Sequence, residues 1–303
     1  MKKPQLFICN KLVKHFLTAE EKLQEIQTKI NNVHDELIIQ GLFILSVSFF
    51  ENLLSDALSY FLQKFPEKIP KENYKITKNL AIETAYIKNI LNNIVEQEIS
   101  SLTYKPIKEI LNEFVEYLAL KISFDDDQVN VLNEIKETRN LLLHNNLLVN
   151  AIYLLKAGNL AREKTENKKL KLDSNYVKNA LVVMNIFLDD IKKSIVEKYA
   201  QYTYIKAAEE LWYFMFHSDV MKFEDYWHID VHGDKIPALK KCKYESGLST
   251  GETTLLSLWR MLFTGHTEIK TFDYYHLDVY SRQNVNLLFE LASDYWFWSG
   301  EYT

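Results

Sequence analysis

Glycine and proline are scarce in this chain, 7 and 5 residues in 303. Together they make about 4%, against an average near 12%. So few breakers exclude collagen-like and low-complexity architectures and argue against many short strands joined by tight turns. Long helices are the expectation. Cysteine is nearly absent: Cys9 and Cys242 cannot build a disulfide framework, so a reduced, cytoplasmic setting is expected. Arginine is rare too, four residues (Arg139, Arg162, Arg260, Arg282) against 32 lysines. Where lysine supplies most of the charge, an arginine points to a use for its planar fork. Long apolar runs are missing. The N-terminal one, Leu6 to Cys9, is too short for the core of a signal peptide. The longest, Leu37 to Phe50, is interrupted by Gln40 and followed by Glu51. It falls short of the roughly 18–20 residues of a membrane helix and reads as a buried core helix, with no membrane partner.

What is present is unevenly placed. Five of the seven glycines lie beyond residue 232, and all five tryptophans beyond residue 211. Residues 1–216 carry 28 basic and 28 acidic side chains; residues 217–303 carry 8 and 13, the whole net charge of −5. The break predicts two domains: a helical one at 1–216 with an N-terminal helical extension, and a small aromatic-rich α+β one at 217–303.

Apolar spacing predicts helices at about 10–34, 36–65, 78–100, 106–121, 128–146, 175–200 and 203–216. Pro66 and Pro70 mark a loop, Pro106 starts a helix, and Asp125 to Asp127 precede another, where acid complements the dipole. Asp173 or Ser174 caps the helix at 175–200. Beyond 217, Tyr226 to His232 alternates like a strand, and helices follow at about 250–264 and 281–298.

One constellation carries chemistry. In Glu137-Thr138-Arg139-Asn140-Leu141-Leu142-Leu143-His144-Asn145, an Arg-Asn pair is followed after three residues by His. The run resembles the Arg-x4-His signature of the HEPN superfamily of helical ribonucleases and nucleotide-binding proteins. Upstream, Leu45 to Leu54 is similar to the early helix of that fold, which commonly carries an acidic residue facing the motif; here that residue is Glu51. The resemblance spans about residues 36–200. It implies a mainly α, HEPN-like bundle and a composite site at a homodimer interface. It also implies a role as a toxin or antiphage defence effector, whose partners would be RNA and an antitoxin, inhibitor or phage-derived trigger.

The residues themselves fit metal-independent RNA cleavage leaving a 2′,3′-cyclic phosphate, with no cofactor. A base takes the 2′-OH proton, an acid protonates the leaving oxygen, and a cation meets the charge on phosphorus. Histidine titrates near neutrality, which suits His144 to proton transfer. Arg139 can hold a phosphate bidentately. Asn140 can orient substrate or His144, and Glu51 can hold Arg139 or His144. On an ideal helix Asn133, Glu137, Asn140 and His144 form one polar stripe, while Val131, Ile135 and Leu142 form a separate apolar stripe for the core. Arg139 lies five residues before His144, roughly 140° around the axis. Residues 156–171 hold six basic side chains, Lys156, Arg162, Lys164, Lys168, Lys169 and Lys171, against Glu163 and Glu166. That local excess of four is placed to bind RNA phosphates beside the motif. The rival reading is a catalytically silent HEPN-like module that binds RNA, nucleotide or protein as a sensor or scaffold.

The C-terminal stretch offers weaker signals. His228, Asp230 and His232 would share one strand face, but no second ligand pair has metal spacing, so no metal is expected. Leu248 to Glu252 resembles the signature loop of ABC-type ATPases, yet no phosphate-binding Gly-x4-Gly-Lys-Ser/Thr accompanies it. Helix capping by Ser249 or Thr250 is the preferred reading. The stretch from Gly247 to Gly265 and then Asp273 to Asp278 is similar to an uncharacterised small bacterial family.

Overall fold

The structure is a computed structural model that describes residues 6–70, 87–103, 105–216, 221–228, 238–239, 248–264 and 277–298. The side chains of 87–89, 103, 227–228, 238–239, 280 and 294–298 lie outside that description. The protein is mainly α. Two compact units divide the chain: Cys9–Ala200, and Gln201–Thr303 together with Met1–Ile8.

The first unit contains α1 (Cys9–Ile30), α2 (Glu36–Lys64), α3 (Ile87–Thr103), α4 (Ile107–Tyr117), α5 (Asp126–Asn145), α6 (Ala151–Ala157) and α7 (Ser174–Tyr199). α1 is amphipathic. Leu12, Phe16, Ala19, Leu23, Ile26 and Ile30 recur at helical spacing and are buried. Each large one contributes about 1.5–3 kcal/mol by leaving water. α2 is apolar on more than one side because α1, α3, α4, α5 and α7 all pack against it. It runs to 29 residues, so by length and composition it is the one helix among the described residues that meets the requirement for crossing a membrane. The interrupted run Leu37 to Phe50 understated that length. Ring contacts seal the bundle: Phe16 on Phe114 at 6.4 Å, Phe43 on Tyr176 at 5.5 Å and Phe61 on Tyr199 at 5.8 Å.

Side chains start several helices as their types predict. Asp35 accepts from Leu37 and Ile38 amides, Asn150 from Tyr153, and Asp173 from Tyr176. α6 occupies residues that periodicity left unassigned; seven residues are too few to show a period. It stops at Gly158, whose φ of +54° a side chain would resist.

The second unit contains α8 (Tyr204–Met215), α9 (Phe223–Tyr226), α10 (Thr250–Thr264), α11 (Val279–Trp298) and one short antiparallel pair, β1 (Trp227–His228) with β2 (Ala238–Leu239). Of the expected strand Tyr226 to His232, residues 229–232 lie outside the described residues. Trp212 is central: its ring lies 4.5 Å from Phe216, 5.1 Å from Tyr226 and 5.4 Å from Trp259. Its indole donates to the Met221 carbonyl at 3.0 Å. Leu6 and Ile8 join this core. The division therefore differs from the break expected at 216. Charge balance groups α8 with the preceding helices, but Ala207, Ala208, Leu211, Trp212 and Met215 bury its apolar face in the second core.

Ser249 forms a reciprocal cap on α10. Its hydroxyl accepts from the Glu252 amide at 3.2 Å, and Glu252 accepts from the Ser249 amide at 2.9 Å. Trp259 and Phe263, farther along α10, are buried core. Ser249→Ala is expected to lower stability by about 1 kcal/mol. Thermal unfolding measures it, and an unchanged midpoint would refute the capping role.

Candidate functional site

α5 opens behind Asp125, with Asp126 and Asp127 in its first turn. Val129, Leu132, Ile135 and Leu141 anchor it in the bundle. Several polar residues between them are also buried. Glu134 is 4% exposed, Lys136 8%, Glu137 5% and Thr138 0%. Val131, assigned to the core stripe, is instead exposed. An isolated helix wheel sorts residues by polarity, whereas here neighbouring elements cover the polar side as well.

What covers that side is partly a cavity of about 1030 Å³ bounded by α2, α3, α4, α5 and α6. Asn133, Glu137, Asn140 and His144 all line it, so the predicted polar stripe faces this cavity, which is partly open to solvent. Arg139 lines the same cavity despite its angular offset. One wall is apolar, with Leu54, Leu58, Ile107, Ile110 and Phe114.

Glu51 comes from α2. One carboxylate oxygen bonds Arg139 Nη2 and the other lies 3.5 Å from Lys136 Nζ. Of the two roles expected for Glu51, this geometry is the contact to Arg139. Lys136 also donates to the Lys105 carbonyl at 3.1 Å. Burial pulls both the Lys136 ammonium and the Arg139 guanidinium below their ordinary values. Glu137 pairs with Lys156 at 3.3 Å and accepts weakly from Asn140 at 3.4 Å.

His144 is exposed in the last turn of α5. Among the described residues its side chain makes no hydrogen bond, which leaves the imidazole accessible. The helix ends sharply beyond it. Asn146 and Leu147 both take left-handed backbone angles, φ 49° and 64°, and both amides bond the Leu141 carbonyl. Leu147 in that region is costly for a residue with a Cβ, and its complete burial compensates.

The basic stretch is tied to this helix end. Val149 donates to Lys168 O at 2.9 Å, Asn167 to Val149 O at 2.8 Å, and Leu170 to Leu147 O at 2.8 Å. Lys164, Lys168, Lys169 and Lys171 are exposed; Lys169 pairs with Glu36 at 3.0 Å and Lys171 with Asp173 at 3.1 Å. Arg162 has a different place from the one expected. Its Nε donates to Glu134 at 3.0 Å, Nη1 to the Lys171 carbonyl at 2.7 Å and Nη2 to Thr138 at 3.3 Å. The guanidinium also lies 3.5 Å from the Tyr176 ring centre. This arginine uses its fork within the protein, and the exposed lysines are what the stretch offers to phosphates.

Glu134 is the hub beneath it. It accepts from Thr138, Tyr153 and Tyr176 hydroxyls at 2.7, 2.8 and 2.7 Å as well as from Arg162. Burial first and the Glu134 charge second push the Tyr153 hydroxyl up to about 12 and that of Tyr176 well up.

Sequence reasoning missed Lys136, Glu134 and the cavity itself. The only signal was charge within an otherwise core-forming helix, which reads equally as a solvated face. Among the described residues no cluster of three or more His, Cys, Asp or Glu is placed to hold a metal ion. Asp230, His232 and Cys242, and the His228 side chain, lie outside the described residues. No family model, curated protein or solved structure matches the chain.

Proposed function

We propose that the chain is a metal-independent endoribonuclease of HEPN type, a toxin or antiphage effector of the cytoplasm that works as a homodimer. The observation that carries this reading is the gathering of Glu51, Arg139, Asn140 and His144 on one cavity of about 1030 Å³, with Glu51 brought from another helix. In the reaction the ribose 2′-oxygen attacks phosphorus and the bond from phosphorus to the 5′-oxygen breaks. A base takes the 2′-OH proton and an acid delivers one to the 5′-oxygen, giving a 2′,3′-cyclic phosphate and a 5′-hydroxyl. His144 is the proton-transfer group, and two-fold symmetry would supply a second copy to the same cleft. Arg139, oriented by Glu51, meets the charge on the phosphate oxygens. Lys164, Lys168, Lys169 and Lys171 draw in the RNA strand. In this reading the unit Cys9–Ala200 is the HEPN-like domain, and the smaller unit, Gln201–Thr303 with Met1–Ile8, senses a trigger or docks an inhibitor.

Total RNA incubated with the purified full chain in EDTA tests the proposal. The wild type is expected to release fragments ending in cyclic phosphate, and Arg139→Ala to be slower by about 10²–10³-fold, the usual loss for one oxyanion donor. Equal cleavage by both proteins would remove the site. RNA that is bound but left intact by the wild type would support the silent binding module instead.

A further inference from the structure

Lys136 and Arg139 lie one turn apart on α5 and share the single carboxylate of Glu51. A buried ammonium normally needs close acceptors for its three N–H groups. Lys136 is 8% exposed, yet has only one close acceptor among the described residues, the Lys105 carbonyl; Glu51 stands 3.5 Å away. Arg139 Nε is buried and has no acceptor among the described residues. Around them Lys136, Arg139 and Lys156 face Glu51 and Glu137, while Lys105 is taken by Glu113 at 2.6 Å. The wall thus carries one excess positive charge, and both cations line the cavity. A group with one negative charge and several acceptor oxygens would balance that charge and supply the acceptors that Lys136 lacks. A phosphodiester is such a group.

We propose that Lys136, which stands outside the Arg-x4-His motif, is a second phosphate ligand and that Lys136 with Arg139 holds one phosphodiester monoanion of RNA. The inference rests on the ribonuclease reading and deepens it. Glu51 is then the element that spaces the two cations, and the bound phosphate completes their coordination.

The competing account is that Lys136 only neutralises Glu51. A short single-stranded oligoribonucleotide with 2′-O-methyl groups throughout separates the two, because it binds but cannot be cut. Its affinity for the full chain is measured by fluorescence anisotropy across a salt series. Lys136→Met is expected to weaken binding about tenfold or more, the loss of a charged hydrogen bond. The slope of log affinity against log salt should fall by about 0.7, one phosphate contact on a single strand. The double variant Glu51→Gln, Lys136→Met should stay weak, and Lys136→Arg should keep the slope. Restored binding in the double variant, or a wild-type slope in Lys136→Met, overturns the inference alone. A wild type that binds none of this RNA overturns it together with the ribonuclease reading. Melting curves of each variant confirm that folded proteins are compared.

Discussion

Replacing His144 by alanine is expected to slow RNA cleavage by roughly 10²–10⁴-fold, the usual contribution of one proton-transfer group. The melting temperature should barely move. The side chain is exposed in the last turn of α5, fills no core space and makes no hydrogen bond among the described residues. Binding of uncleavable RNA should persist, since the cavity-lining cations Arg139 and Lys136, proposed as the phosphate ligands, are untouched. Single-turnover kinetics with a fixed RNA measures the chemical step. A variant as fast as the wild type would end the assignment of His144 as the proton-transfer residue. In living cells the same substitution should relieve growth arrest caused by expression.

Replacing Glu134 by alanine should act in the opposite sense, on stability first. The carboxylate accepts from Thr138, Tyr153, Tyr176 and Arg162 and is 4% exposed. Its removal leaves four donors without their acceptor, one of them a guanidinium. Each donor that water cannot reach costs about 1–3 kcal/mol when left without its acceptor. Denaturant unfolding should show a lower midpoint at an unchanged slope. Because Arg162 also holds the Lys171 carbonyl, amide exchange should quicken across residues 162–171 before the rest of the bundle opens. A midpoint within about 0.5 kcal/mol of wild type, the range of ordinary surface substitutions, would show that the hub is not what secures this stretch.

These two residues differ in how far sequence could identify them. His144 is marked by its spacing from Arg139 along one helix, so local pattern alone singles it out. Glu134 sits on the same helix, and nothing local distinguishes it from a solvated carboxylate. Its partners Tyr153, Arg162 and Tyr176 come from later parts of the chain and become neighbours only when α6, the following loop and α7 pack against α5. Arg162 shows the same limit from the other side. Its rarity pointed correctly to a use for the planar fork, but the expected partner was RNA, and the structure sets it against Glu134, Thr138 and the Tyr176 ring.

The chain's scarcity of glycine and proline, its apolar spacing and its capping residues were enough to determine a mainly helical protein and most helix boundaries. Those features act within a few residues, over the reach of a helical turn and its cap. Tertiary structure decided which polar residues are buried. It also placed α8 in the second core rather than the first, and brought Glu51 to Arg139 across 88 positions of sequence. The reason is that burial belongs to a pair of surfaces. A helix carries its own periodicity, but what covers each of its faces is set by helices far away in the chain, and the cavity beside His144 exists only between them.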